Sequence, residues 1–146
     1  MKRYTDAEEE EILQLIMHEN KIIAKNMMNG LIRCMILWRL KQGKLHGYGL
    51  KKVIDNFFKK QIEKGVVKEL NTSKIYPILQ QMENNDIIVS TEGLHKNKKV
   101  KYYELTRKGE LILEVMKDKI KLISEEKIWN KFLNDLLGLD KKSDLK

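Results

Sequence analysis

Asn71-Thr72-Ser73-Lys74-Ile75-Tyr76-Pro77-Ile78-Leu79-Gln80-Gln81-Met82-Glu83-Asn84-Asn85-Asp86-Ile87-Ile88-Val89-Ser90-Thr91-Glu92 is the stretch on which the reading of this chain turns. Thr72 and Ser73 are good N-cap residues, since their hydroxyls accept backbone N–H groups that a first turn leaves orphaned. Ile75, Ile78, Leu79 and Met82 then recur at helical spacing and mark one buried face. Lys74, Tyr76, Pro77, Gln80, Gln81 and Asn84 make the opposite, hydrogen-bonding face. Pro77 lacks an N–H and costs least in a first turn, which sets the helix start near Thr72 or Ser73. Asn84-Asn85-Asp86 ends the helix with turn-tolerant residues. The β-branched Ile87-Ile88-Val89 that follows reads as strand. Gln, Asn and Lys suit base edges and phosphates. Taken alone, the same pattern also describes an ordinary amphipathic helix with a solvated outer face.

Charge separates the two readings. The 146-residue chain has a formal net charge of +8. Residues 1–25 carry a net −2, residues 26–101 a net +9 and residues 102–146 a net +1. The positive excess is confined to the middle, around the helix just described. A local cationic surface favours a polyanion, nucleic acid foremost. A lysine-rich surface with no partner in mind would not predict that confinement. A hydrophobic content of 42% and 34% charged residues are ordinary for a soluble protein. No apolar run approaches the ~20 residues of a membrane span, and Met1-Lys2-Arg3 leads into acids rather than a signal peptide. The lone Cys34 reads as a buried thiol and fits a reducing cytosol. His18, His46 and His95 show no metal-ligand spacing, with His46 reading as a turn residue. No Gly-rich phosphate loop and no nucleophile–base set is present, so no enzyme, metal or cofactor is expected.

Upstream, Thr5-Asp6-Ala7-Glu8 has the capping-box pattern. Ile12, Leu15, Ile16, Glu19, Ile22 and Ile23 trace a mostly apolar face, predicting a helix from about Asp6 to Lys25. Asn29-Gly30 reads as a break. Leu31 to Leu40, nearly all apolar, predicts a core helix in which Trp38 and Met35 are core residues, closed by Gly43. After a turn at Gly47, Tyr48 to Lys60 predicts another helix. Gln61 to Leu70 fits no single element, and Val66-Val67 there suits either a short strand or a loop. Downstream, Ile87–Thr91 and Val100–Leu105 predict two strands joined by a basic tip over Glu92–Lys99. Thr106 caps a long final helix whose stripe runs Leu113, Met116, Ile120, Ile123. A second piece beginning at Ser124-Glu125-Glu126 continues it through Trp129, Phe132, Leu133 and Leu136 to Gly138. A stripe this long needs a partner helix from a second chain.

Helix, turn, helix, cap, helix, strand, basic hairpin, strand is the order of a winged helix-turn-helix. The expected fold class is therefore mainly α with a small two-stranded β wing (α+β). The expected divisions are an N-terminal helix over 1–28 packing on a dimer interface, a winged helix over 29–106, a C-terminal dimerisation region over 107–139 and a polar tail over 140–146. The chain resembles the PadR-like transcriptional regulators in four ordered motifs between about Gly30 and Leu113. These are His46-Gly47-Tyr48, Lys74-Ile75-Tyr76-Pro77-Ile78-Leu79 with Met82-Glu83, Ile87-Ile88, and Lys101-Tyr102-Tyr103-Glu104-Leu105-Thr106-Arg107-Lys108-Gly109. The resemblance implies a homodimeric repressor of the short-chain branch, completed by one C-terminal helix region and an extra N-terminal helix. It also implies, in some members, sensing of hydrophobic or aromatic effectors near the dimer interface. Trp129, Phe132 and Trp38 are the candidate lining, with plain packing as the competing reading. Departures are Gly49 where the family has an acid, Asp86 where it has glycine, and a longer Gln61–Leu70 connection. Asp86 can adopt the left-handed conformation that glycine would.

The leading expectation is a sequence-specific regulator of a pseudo-palindromic operator in double-stranded DNA. Thr72, Ser73, Lys74, Tyr76, Gln80 and Gln81 would face the groove, and Lys96, Lys98, Lys99 and Lys101 the phosphates. Leu113, Met116, Ile120, Ile123, Trp129, Phe132, Leu133 and Leu136 would form the dimer interface. A winged-helix protein-interaction module and a non-specific architectural DNA binder are the alternatives. Sequence-dependent retention of DNA at physiological salt separates them.

Overall fold

The computed structural model describes residues 4–65 and 67–137, without the side chains of residues 16, 17, 19, 20 and 24. The expected strand residue Val66, the closing Gly138 and the polar tail over 140–146 lie outside the described residues, as do the side chains of Ile16 and Glu19 on the expected N-terminal stripe.

One helix, α1 (Asp6–Lys41), occupies the first quarter of the chain. Thr5 caps it with both halves of the capping box, Glu8 N–H donating to the Thr5 hydroxyl and Thr5 N–H to the Glu8 carboxylate at 2.8 Å. The Thr5 N–H, and then the Thr5 hydroxyl donating at 3.0 Å, hold the Glu8 carboxylate pKa below its usual value. The break expected at Asn29-Gly30 is absent. A glycine inside a helix costs only ~1 kcal/mol, and Arg33 braces this turn by donating to the Asn29 carbonyl at 3.0 Å. The expected division after residue 28 therefore falls inside a continuous helix. Of the apolar Leu31–Leu40 segment one side is buried, with Ile32, Ile36, Leu37 and Leu40 each at most 4% exposed. Trp38, expected in the core, is 48% exposed and stands edge-on to Phe57. Cys34 is half-buried rather than buried.

The chain then makes β1 (Leu45–His46), α2 (Gly47–Phe57), the short α3 (Lys59–Glu63) and α4 (Thr72–Asn84). Among the described residues of the Gln61–Leu70 connection, Gln61 to Glu63 end α3 and the rest belong to no helix or strand. Its end is anchored where the Leu70 N–H donates to Asp55 at 2.8 Å. Asp55 also accepts from Lys51 at 2.8 Å, which holds the Lys51 pKa above its ordinary value. The cap of α4 is Asn71, one residue ahead of the expected Thr72 or Ser73, its side chain accepting from Ser73 N–H at 3.0 Å. Pro77 consequently sits in the second turn. It is exposed, so the carbonyl its ring leaves unbonded lies on the solvent side.

β2 (Ile88–His95) and β3 (Lys98–Leu105) form the wing, and β1 adds to its other edge, giving a three-stranded antiparallel sheet in the order β1-β3-β2. The two-stranded wing expected from sequence gains this strand through the pairs Leu45–Tyr103 and His46–Tyr102. The tip is also tighter than the expected Glu92–Lys99 span. It is a two-residue turn at Lys96-Asn97 with φ of 50° and 63°, the geometry that matches strand twist. Asp86 has φ 58°, the left-handed conformation expected of it.

α5 (Arg107–Ser124) follows its Thr106 cap, whose hydroxyl accepts from Gly109 N–H at 3.1 Å, and α6 (Lys127–Leu137) completes the described chain. Gly109 is needed here, since a Cβ would come within 2.2 Å of the Ile87 carbonyl oxygen. The core gathers Ile32, Ile36, Leu50, Ile75, Leu79 and Ile88 between α1, α2, α4 and the sheet.

Candidate nucleic-acid interface

The buried face of α4 is the one its sequence marks: Ile75, Ile78, Leu79 and Met82 are all at most 7% exposed. Burying them turns Ser73, Pro77, Gln80 and Asn84 outward at helical spacing. Gln80 Nε2 donates to Asn84 Oδ1 at 2.9 Å, which preorients its amide along this face. Tyr76 stands on the flank toward the sheet. A Cβ at Gly47 would lie 2.7 Å from the Tyr76 ring, so the foot of α2 packs against Tyr76 only because residue 47 is glycine. This packing gives the His46-Gly47-Tyr48 turn its physical meaning.

Strand alternation sorts the lysines of β3. Lys99 and Lys101 share the side of Tyr103, while Lys98 shares the side of Tyr102. Tyr103 is buried, and burial together with Glu83 and Tyr76 raises its pKa. The result is one cleft of about 370 Å³ where four elements meet, with His46 of β1 in its lining. Tyr48 comes from α2, Tyr76 and Gln80 from α4, and Lys99 and Lys101 from β3, with no acid in the lining. The foot of α2 adds to the positive character. His46 provides no side-chain cap, and the first turn holds no acid. Gly49 brings no charge to this turn, so the positive end of the α2 dipole is uncompensated.

All six residues expected to face a groove, Thr72, Ser73, Lys74, Tyr76, Gln80 and Gln81, are exposed on α4, and of these Tyr76 and Gln80 reach the cleft. Gln81 is not grouped with them. Its carbonyl oxygen accepts from the Arg33 guanidinium, and it lines a hollow with Cys34, Leu37, Ile112 and Met116. Lys74 lies on that flank too, beside a second hollow lined by Met28, Ile54, Phe58 and Leu70. Among the wing lysines, Lys99 and Lys101 join the cleft, Lys96 sits in the turn and Lys98 begins β3 on the far side. Sequence reasoning missed Tyr48, whose ring carries Lys52 at 5.1 Å and Lys51 at 5.8 Å. An aromatic and two lysines in one helical turn was the available signal.

Of the expected interface residues, Leu113 is buried in the core of the protomer and Met116 packs partly against it. Ile120, Ile123, Trp129, Phe132, Leu133 and Leu136 are 38–66% exposed. Among the described residues there is no group of three His, Cys, Asp or Glu placed to hold a metal ion, and no helix is long and apolar enough to cross a membrane.

A helix presented beside a lysine-edged hairpin, on a three-helix core closed by a short third strand, is the architecture of a winged helix-turn-helix transcriptional regulator. The PadR-like transcriptional regulator family matches residues 36–115, more than half of the sequence, and this chain belongs to it. A PadR-like transcriptional regulator from Bacillus cereus is similar in structure, with 26% identity and a TM-score of 0.58 over 77% of this chain and 96% of that one. A PadR family transcription regulator from Clostridium difficile has 27% identity and a TM-score of 0.51 over 70% of this chain and 97% of that one. A transcriptional regulator from Clostridium thermocellum, at 23% identity and a TM-score of 0.54 over 73% and 94% of the two chains, shares the fold. No curated protein matches this chain.

Proposed function

We propose that the protein is a homodimeric, sequence-specific DNA-binding repressor acting in the cytoplasm on a pseudo-palindromic operator. The observation that carries this reading is the acid-free cleft joining Tyr76 and Gln80 of α4 to Lys99 and Lys101 of the wing. With α4 in the major groove, Ser73 and Gln80 meet base edges, and Tyr76 reaches the flank of the groove. Lys99 and Lys101, with the uncapped foot of α2, hold backbone phosphates beside it, and Lys96 and Lys98 extend that hold along the hairpin. Lys74 and Gln81 take secondary places at the edge of the footprint.

The second copy docks on the exposed apolar faces of α5, α6 and the N-terminal half of α1. Ile120, Trp129, Phe132 and Leu136 are the central anchors. Pairing two protomers sets two copies of α4 on one face of a duplex, which is why a two-fold site is expected. A small hydrophobic effector would bind among Ile128, Trp129 and Phe132, where α6 leaves an apolar hollow, and release the operator by changing that packing. Trp38, whose ring partner is Phe57, is not needed for it. Selection of bound sites from random duplex DNA tests the reading. A short two-fold sequence should emerge after a few rounds. Recovery of unrelated sequences would leave non-specific binding, and no retention at physiological salt would leave a protein-interaction module.

A further inference from the structure

The sheet buries an imidazole beside the cleft. His46 is 8% exposed, and neither of its ring nitrogens has a hydrogen-bond partner among the described residues. It ends β1 and immediately precedes α2, so it ties the wing sheet to the foot of the helix-turn-helix. Its pairing partner Tyr102 stacks on it with ring centroids 5.7 Å apart. On it also lies His95, the last residue of β2 before the wing turn, with centroids 4.1 Å apart. Gly49 of α2 makes room for the ring, since a Cβ there would lie 2.7 Å from it. Among the described residues, these are the only ring contacts that link the root of the wing to its tip.

We propose that the His46–His95 pair is a proton-operated latch that holds the lysine-bearing tip of the wing in place, and that protonating the pair frees the tip and weakens DNA binding. The inference rests on the reading of the wing as a phosphate-contacting element. Two neutral imidazoles stack without penalty, whereas two imidazolium rings at this separation repel. The surroundings add to the repulsion. Lys96 follows His95, Lys98 is its register partner on β3, and Lys44 Nζ lies 5.8 Å from the Tyr102 ring. From α2 the pair meets Gly49, which brings no charge. Glu104, on the same side of β3, lies beyond Tyr102 opposite Val89 and is exposed. Burial first, then His95 and Lys96, hold the His46 pKa below its ordinary value. A histidine whose folded-state pKa is lowered stabilises the fold fully above its unfolded value of about 6.5. That contribution is lost as pH falls from there through the folded-state value. The latch is therefore closed at neutral pH and opens in mild acid.

The sign of the effect on DNA is distinctive. Added positive charge alone would tighten the hold on a polyanion, whereas a released wing weakens it. The test follows the imidazole signals and the amide exchange of residues 93–102 by NMR in the full chain, without DNA, from about pH 8 to about pH 5. In the native protein, amide protection measured against the intrinsic, base-catalysed exchange rate at each pH should fall about tenfold as the solution is acidified. In His95→Phe and His95→Gln, neither of which takes up a proton, it should stay level. Affinity for DNA should fall severalfold over the same range in the native protein and in His18→Gln, and hold steady in the two His95 variants. Wing protection unchanged across this pH range overturns the latch, as does a pH–affinity curve in the His95 variants that matches the native one. Exchange is read without DNA, so a failure to bind DNA at any pH would sink the proposed function and the latch's effect on binding, whereas level wing protection would sink the latch alone.

Discussion

Between Ile32 and Leu113 this chain builds its buried apolar core inside one protomer, with a few residues such as Trp38, Phe57 and Leu94 left exposed, and on either side it displays most of its apolar residues. The middle holds Ile36, Leu50, Ile75 and Leu79 at 0% exposure. The N-terminal part of α1 leaves Leu13 and Leu15 about three-fifths exposed, and α6 leaves Ile128 70% and Leu136 66% exposed. Both regions are amphipathic helix with similar apolar content, so propensity does not divide them. What divides them is the availability of a facing surface. The middle closes on itself through three helices and a sheet. The arms have only each other and solvent, and contiguous exposed apolar faces of this kind mark interaction sites. Under the proposed function, recognition and assembly are separate in the chain: a head with its own core, and arms whose apolar faces a second copy would cover.

That division can be broken from either end. Leu79→Ala, in the head, should cost about 2–5 kcal/mol of stability, seen as a large drop in the denaturant midpoint. A loss below about 0.5 kcal/mol would mean that the head does not carry its own core. Phe132→Asp with Leu136→Asp, in the arms, should weaken self-association by at least about 2 kcal/mol, as expected for interface anchors. Sedimentation should then report monomers whose circular dichroism still melts cooperatively. A double variant that stays dimeric places the interface elsewhere. Lys98→Ala with Lys99→Ala, at the surface of the head, should weaken binding to all DNA sequences alike. It should also flatten the plot of log affinity against log salt by about 2 in slope, since each phosphate no longer neutralised removes about 0.9. An unchanged slope removes the hairpin from the interface. Asn71→Ala, which removes only the cap of α4, should cost about 1 kcal/mol in thermal stability; no loss would mean the cap bond is not made in solution.

The head was legible in sequence where periodicity fixes a face. Ile75, Ile78, Leu79 and Met82 named their side of α4 unambiguously, and the β-branched and turn residues placed the wing. Ends and flanks were less legible. One step along a helix is a rotation of about 100°, which carried Gln81 from the outward face of Gln80 to the flank of Arg33. Asn71 was passed over as a cap because Thr72 and Ser73 beside it are equally good acceptors. β1, two residues long, is too short to show any alternation and exists only because β3 offers an edge. Gly30 read as a break because local propensity ignores what Ile32 and Ile36 gain by docking. The cleft needed three-dimensional information, since Tyr48, Gln80 and Lys101 lie far apart in the chain. The arms advertised their apolar stripes, but the line between Leu113 in the core and Ile120 outside it depends on where α5 leaves the sheet.

The most direct test is a titration of the full chain into a duplex carrying its selected site, with stoichiometry from sedimentation and affinity compared with a scrambled duplex. The account predicts two chains per duplex and a preference of at least about a thousandfold at physiological salt. One chain per duplex, or equal affinity for the scrambled sequence, would contradict it.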